Sequence, residues 1–127
     1  MKRPLSPNDA LLRMAIGSDT HFNAEATATV ISVTSNPAQL YHLEISNSDN
    51  STFAFIQIFD LATGSVTLGT TTPKLSFVLP GNGGADKFFN VPINFDTAIS
   101  YAVTTTKDGL TAPTNNLVAN IIFKDTP

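Results

Sequence analysis

Two histidines, His21 and His42, and ten carboxylates are the chain's whole stock for acid–base or metal chemistry, because it has no cysteine. A zinc site needs three or four N, S or O ligands, and a nucleophilic triad needs nucleophile, base and orienter within reach. His21 stands two residues after Asp19. That spacing could supply two ligands from one loop, but it reads more simply as a solvated loop pair. His42 and Glu44 fall on one side of an expected strand, where an ion pair or a subunit contact is the better reading. Asp9, Asp19, Glu25, Asp49, Asp60, Asp86, Asp96, Asp108 and Asp125 mostly adjoin Gly, Asn or Thr. Short acceptors at such places satisfy the N–H groups of turns. No D-x-[DN]-x-[DN]-G calcium loop is present. Tryptophan, the usual sugar-stacking platform, is absent, though Tyr41, Tyr101 and nine Phe could stand in. The expectation is no catalytic residue, no metal ligand and no cofactor.

The glycine-rich stretches fail as phosphate loops. Gly64 and Gly69 have the right separation, but Thr70 occupies the place of the essential lysine, and no helix pattern follows. Gly81-Asn82-Gly83-Gly84 precedes a strand and reads as a reversal. Asn50-Ser51-Thr52 is a formal glycosylation sequon inside an expected turn, a chance occurrence in a Thr-rich chain.

Composition narrows the class further. The chain has 127 residues, enough for one domain with its own core. Hydrophobic residues are 42%, as in globular proteins. Charged residues are only 13%, against roughly 25% in typical soluble domains. Charge keeps a surface solitary, so a low-charge surface suggests coverage by partners. The net charge is −3 and the seven Lys and Arg form no stripe, which disfavours nucleic acid. Met1-Lys2-Arg3-Pro4 is followed by Asn8, Asp9 and Arg13 rather than an apolar run, so no signal peptide is expected. No segment reaches the ~18 consecutive apolar residues of a membrane helix.

The elements that would position these residues are strands. Phe53 to Asp60 is apolar at both parities, so both faces of this strand should be covered. Around it lie Ala24 to Thr34, closed by Asn36-Pro37; Leu40 to Asn47; Lys74 to Leu79; Asp86 to Val91, stopped by Pro92; Ala98 to Thr105; and Asn116 to Lys124. In the second of these, Tyr41, Leu43 and Ile45 share one face. Turn signals recur between the strands, and no helical pattern separates them. The fold class is therefore all-β, an antiparallel β-sandwich or jelly roll of seven to eight strands spanning 24–127. Residues 1–23 read as an extended N-terminal arm. Within it a short helix over 9–16 would carry Leu11, Leu12, Ala15 and Ile16, capped by Asn8 or Asp9 and stopped by Gly17.

By parity Phe53, Phe55, Phe59, Phe77, Phe88 and Phe123 belong to the core, whereas Phe89 and Phe95 are less easily buried. Core is the default place for each Phe; if exposed, Phe89 and Phe95, with Leu11, Leu12, Met14 and Ile16 of the arm, are the candidate interaction residues.

Gln39 to Lys124, about two-thirds of the chain, resembles small proteins encoded among the structural genes of tailed bacteriophages. The phrases that carry the resemblance are Leu40-Tyr41-His42-Leu43-Glu44-Ile45-Ser46-Asn47, Phe55-Ile56-Gln57-Ile58-Phe59-Asp60, Gly69-Thr70-Thr71-Thr72-Pro73, Leu79-Pro80-Gly81, Ile93-Asn94-Phe95-Asp96-Thr97-Ala98-Ile99-Ser100, Ala102-Val103-Thr104, and the closing run Asn116 to Lys124. The resemblance implies a non-enzymatic virion component, a capsid cement or decoration protein. Such a protein would be made in the host bacterial cytoplasm and sit on the capsid exterior. Its partner would be the major capsid protein, and it would be a homo-oligomer, with a trimer favoured. Neither nucleic acid nor membrane is an expected partner. The competing reading is a host-receptor or carbohydrate-binding sandwich on a virion fibre or cell surface. A hydrolase on a jelly roll is a third, against which the missing histidine cluster weighs.

Overall fold

The computed structural model describes residues 17–126. Leu11, Leu12, Met14 and Ile16, with the helix expected over 9–16, lie outside the described residues. Eight strands follow in order: β1 (Asp19–Ala26), β2 (Ile31–Thr34), β3 (Ala38–Asn47), β4 (Ala54–Phe59), β5 (Leu75–Leu79), β6 (Gly83–Phe95), β7 (Ile99–Thr104) and β8 (Leu117–Asp125). No helix among the described residues is long and apolar enough to cross a membrane.

The pairing is that of one long hairpin. β1 pairs with β8, β2 with β7, β3 with β6 and β4 with β5, each antiparallel. Rolling that hairpin up adds the pairs β3·β8 and β4·β7. Two four-stranded sheets result, ordered β1-β8-β3-β6 and β2-β7-β4-β5. This is the jelly roll, in which two sheets pack face to face around one core.

Alternation builds that core. Leu117, Ala119, Ile121 and Phe123 of β8 point inward, with Leu43 and Ile45 of β3 beside them. Ile56 and Ile58 of β4, Leu79 of β5, and Ile99, Tyr101 and Val103 of β7 face them from the other sheet. Full burial of each large aliphatic side chain contributes about 1.5–3 kcal/mol. β3 changes phase midway. Ala38 and Leu40 are buried, then Leu43 and Ile45, because the register slips between Leu40 and His42 against both neighbours. This bulge turns Tyr41 and His42 together away from the core.

The expectation that β4 is covered on both faces holds. Phe55, Gln57 and Phe59 point away from the inter-sheet core, yet Gln57 and Phe59 are buried. The loop after β4 and the loop between β7 and β8 lie over them. Ser100 Oγ donates to the Leu61 carbonyl at 2.7 Å, and Gln57 Nε2 to that of Gly109 at 3.0 Å. The two loops also touch each other, since Gly69, at φ +84°, lies against the Leu110 side chain.

Three boundaries differ from the sequence reading. Asp19–Asn23, assigned to the arm, pair with β8. Ala24 to Thr34 is two strands, because the chain passes from one sheet to the other after Ala26; there the Thr27 carbonyl accepts Val103 N–H. β6 runs through Pro92 to Phe95, which an edge strand tolerates since a missing N–H costs it no ladder bond.

Candidate interaction face

Sheet β2-β7-β4-β5 has loops over much of its outer side. The outer side of sheet β1-β8-β3-β6 carries a different set of residues. The register puts Thr20, Ile122, His42 and Phe88 in one row across its four strands, and Phe22, Asn120, Glu44 and Asp86 in the next. Phe88 is 70% exposed and Phe22 66%. His42 meets the edge of the Phe88 ring, with centroids 6.0 Å apart, and its Nε2 pairs with the Asp86 carboxylate. Glu44 stands directly opposite Asp86, a like-charge pairing. Beyond the bulge, Tyr41 Oη donates to Gln39 Oε1, and Gln39 Nε2 to Asn94 Oδ1. Gly17, Ser18, Tyr41, His42, Phe88, Ile122 and Lys124 line a groove of about 300 Å³ on this face.

Another group of apolar side chains lies on the opposite face. Phe55 pairs with Val78 across β4 and β5, and Phe53 packs edge-on against Phe55 at 5.8 Å. Phe53 and Val78 are 57% and 51% exposed.

The aromatic assignments are corrected in both directions. Phe95 is 2% exposed and belongs to the core, with the Lys74 ammonium 5.3 Å from its ring. Phe89 is half-buried against that core and Phe77. Neither is presented outward, whereas Phe53 and Phe88, read as core, are exposed. The reason lies in β6. Its inward positions include Lys87, whose ammonium reaches back to 5.7 Å from the Phe77 ring. Leu43 opposite Lys87 therefore sets Phe89 inward and Phe88 outward, and a wide register slip follows before Ile93.

The residues considered for chemistry have partners within the fold. His21 is in β1 rather than a loop, and its Nε2 lies 2.8 Å from Tyr101 Oη. Asn23 Nδ2 donates to the same oxygen at 3.0 Å, so the tyrosine proton is free to point at His21. Burial lowers the His21 pKa from its usual 6.5 and raises that of Tyr101. His42 pairs with Asp86 rather than sharing a site with Glu44. Burial pushes the Asp60 carboxyl up, but N–H groups of Asp96, Thr97 and Ala98, with Lys74 nearby, outweigh it and hold the group below 3.8. The sequon Asn50 is buried and donates to Asn47 Oδ1 and to the Asn115 carbonyl. Among the described residues, no three His, Asp or Glu gather as a metal site would require.

Comparison with protein-family models, with curated proteins and with solved structures gave no match.

Proposed function

We propose that this chain is a non-enzymatic structural protein of a tailed-phage virion, a cement or decoration protein that stabilises the head by bridging capsid subunits. One observation carries the reading: exposed apolar side chains stand on opposite faces of a low-charge sandwich. On one face Phe22 and Phe88 stand on the two outer strands of the sheet with Ile122 between them; on the other Phe53, Phe55 and Val78 lie together. A bridge needs two contact surfaces and a stiff body between them. Linked contacts raise effective concentration, so weak individual contacts add up to firm attachment. The partner is the major capsid protein on the capsid exterior, with the cement protein itself a homo-oligomer, a trimer being the favoured state.

The test is binding to expanded, undecorated capsids. Saturation at one copy per lattice position supports the proposal, and absence of binding to any capsid sinks it. Mass photometry of the free chain reads the trimer directly. The second reading, a carbohydrate- or receptor-binding module, draws on the groove, where Tyr41 and Phe88 stand beside the hydrogen-bonding groups of His42 and Lys124. Saturable hits on a glycan array would favour it.

A further inference from the structure

We propose that residues 1–16 of the chain's own N-terminus cover the Tyr41–Phe88–Ile122 groove in the free protein. The described chain starts inside that groove, because Gly17 and Ser18 are part of its lining. Residue 16 is thus one Cα step, about 3.8 Å, from a residue already at the site. The segment carries Leu11, Leu12, Met14 and Ile16, apolar side chains of the kind that would remove Phe88 and Ile122 from water. Reach is ample. Strands about 4.8 Å apart make a four-stranded face about 14 Å wide. Residues 11–16 can extend to about 20 Å, so even this short piece crosses the face.

Charge points the same way. Lys2, Arg3 and Arg13 against Asp9 give residues 1–16 a side-chain charge of +2, which leaves −5 on residues 17–127 out of the total of −3. The face holds Glu44 and Asp86 side by side next to the groove. A cationic, apolar segment thus meets an apolar groove with two carboxylates at its side, Asp86 paired to His42, and Lys124 in its lining. Tethering sets its effective concentration in the millimolar range, well above that of a dilute external partner. The occupant is the chain itself, and a capsid contact at this face would have to displace it. The inference needs no capsid and stands or falls apart from the assembly reading.

Hydroxyl-radical footprinting of the full-length free protein tests it, with Phe88 as reporter and Phe53, exposed on the opposite face, as internal control. Docking predicts that Phe88 is oxidised several-fold less than Phe53. Leu12→Asp with Met14→Asp, or separately Arg13→Glu, should raise Phe88 oxidation several-fold and leave Phe53 unchanged. Equal reactivity of the two rings in the unaltered chain overturns the proposal, as does Phe88 protection that ignores both sets of substitutions. Protection that disappears on dilution also overturns it, because the cover would then come from a second copy.

Discussion

Asn50 uses its whole amide inside the fold: two donated hydrogen bonds, and Oδ1 accepting the Asn115 N–H at 2.9 Å. Asn47 beside it donates to the carbonyls of Thr52, Leu79 and Pro80. These two side chains tie three loops together at one end of the sandwich. Gly81 is part of the same closure, because a Cβ there would overlap the Ser51 carbonyl oxygen. Asn50→Asp keeps the shape, removes both donors and sets a carboxylate against two acceptors. It should cost about 1–3 kcal/mol in urea unfolding, the penalty of buried groups left unpaired. His21 supplies a second residue-level expectation. Its folded pKa lies below 6.5, so between that lowered value and 6.5 the unfolded chain binds more protons than the folded one. Stability is therefore full above pH 6.5 and falls on acidification through that window. Asp60, held below 3.8, adds a second loss in strong acid as its carboxylate is protonated. Denaturant midpoints measured against pH should show both declines, and His21→Gln should remove only the first.

Gln57 shows what fastens the loop between β7 and β8 to the sheet. From the middle of β4 its Nε2 donates to Thr104 Oγ1 at 2.7 Å and to the Gly109 carbonyl at 3.0 Å, while its Oε1 is buried without a partner among the described residues. Gln57→Ala should free that loop. Amide exchange at Thr105, whose N–H is bonded to the Thr111 carbonyl, should quicken well before global unfolding, with about 1–3 kcal/mol lost overall. Unchanged exchange would show that the loop is held by other contacts. The same strand marks how far the sequence can be read. Ile56 and Ile58 against Phe55 and Phe59 announce a strand covered on both sides, and it is. The pattern cannot say that loops, rather than another layer of strands, do the covering. Turn residues place the strand ends well, but two features defeat alternation. A bulge at Tyr41 and His42 shifts the phase of β3, and an inward lysine at position 87 reverses the roles of Phe88 and Phe89. The sequence accordingly pointed to His42 and Glu44 of the candidate face but missed its exposed rings, Phe22 and Phe88. The signal that could have found Phe88 was Lys87: an edge strand places charge on its inward side.

For the whole molecule, the governing contrast is between sparse charge and exposed aromatic rings. With 13% charged residues overall, contacts made by the Phe53–Phe55–Val78 patch have little electrostatic content to screen. Capsid binding through that patch should therefore change little in affinity when ionic strength rises from low to high, since screening acts on exposed charge. It should also show a negative heat-capacity change on binding, the mark of apolar burial. Isothermal titration at several temperatures and salt concentrations measures both. Ionic attachment would give the opposite result, a steep loss with salt. Substitution divides the two faces. Phe88→Ser and Val78→Ser are both surface changes that leave the core intact, and each should weaken binding by about tenfold, or about 1.4 kcal/mol, if its patch is seated on a subunit. A bridging protein further requires that either single loss cancel the gain in capsid thermal stability, because a clamp released at one jaw holds nothing together. If Phe88→Ser abolishes that stabilisation while Val78→Ser leaves it whole, the protein attaches by one face alone, and bridging within a single chain is ruled out.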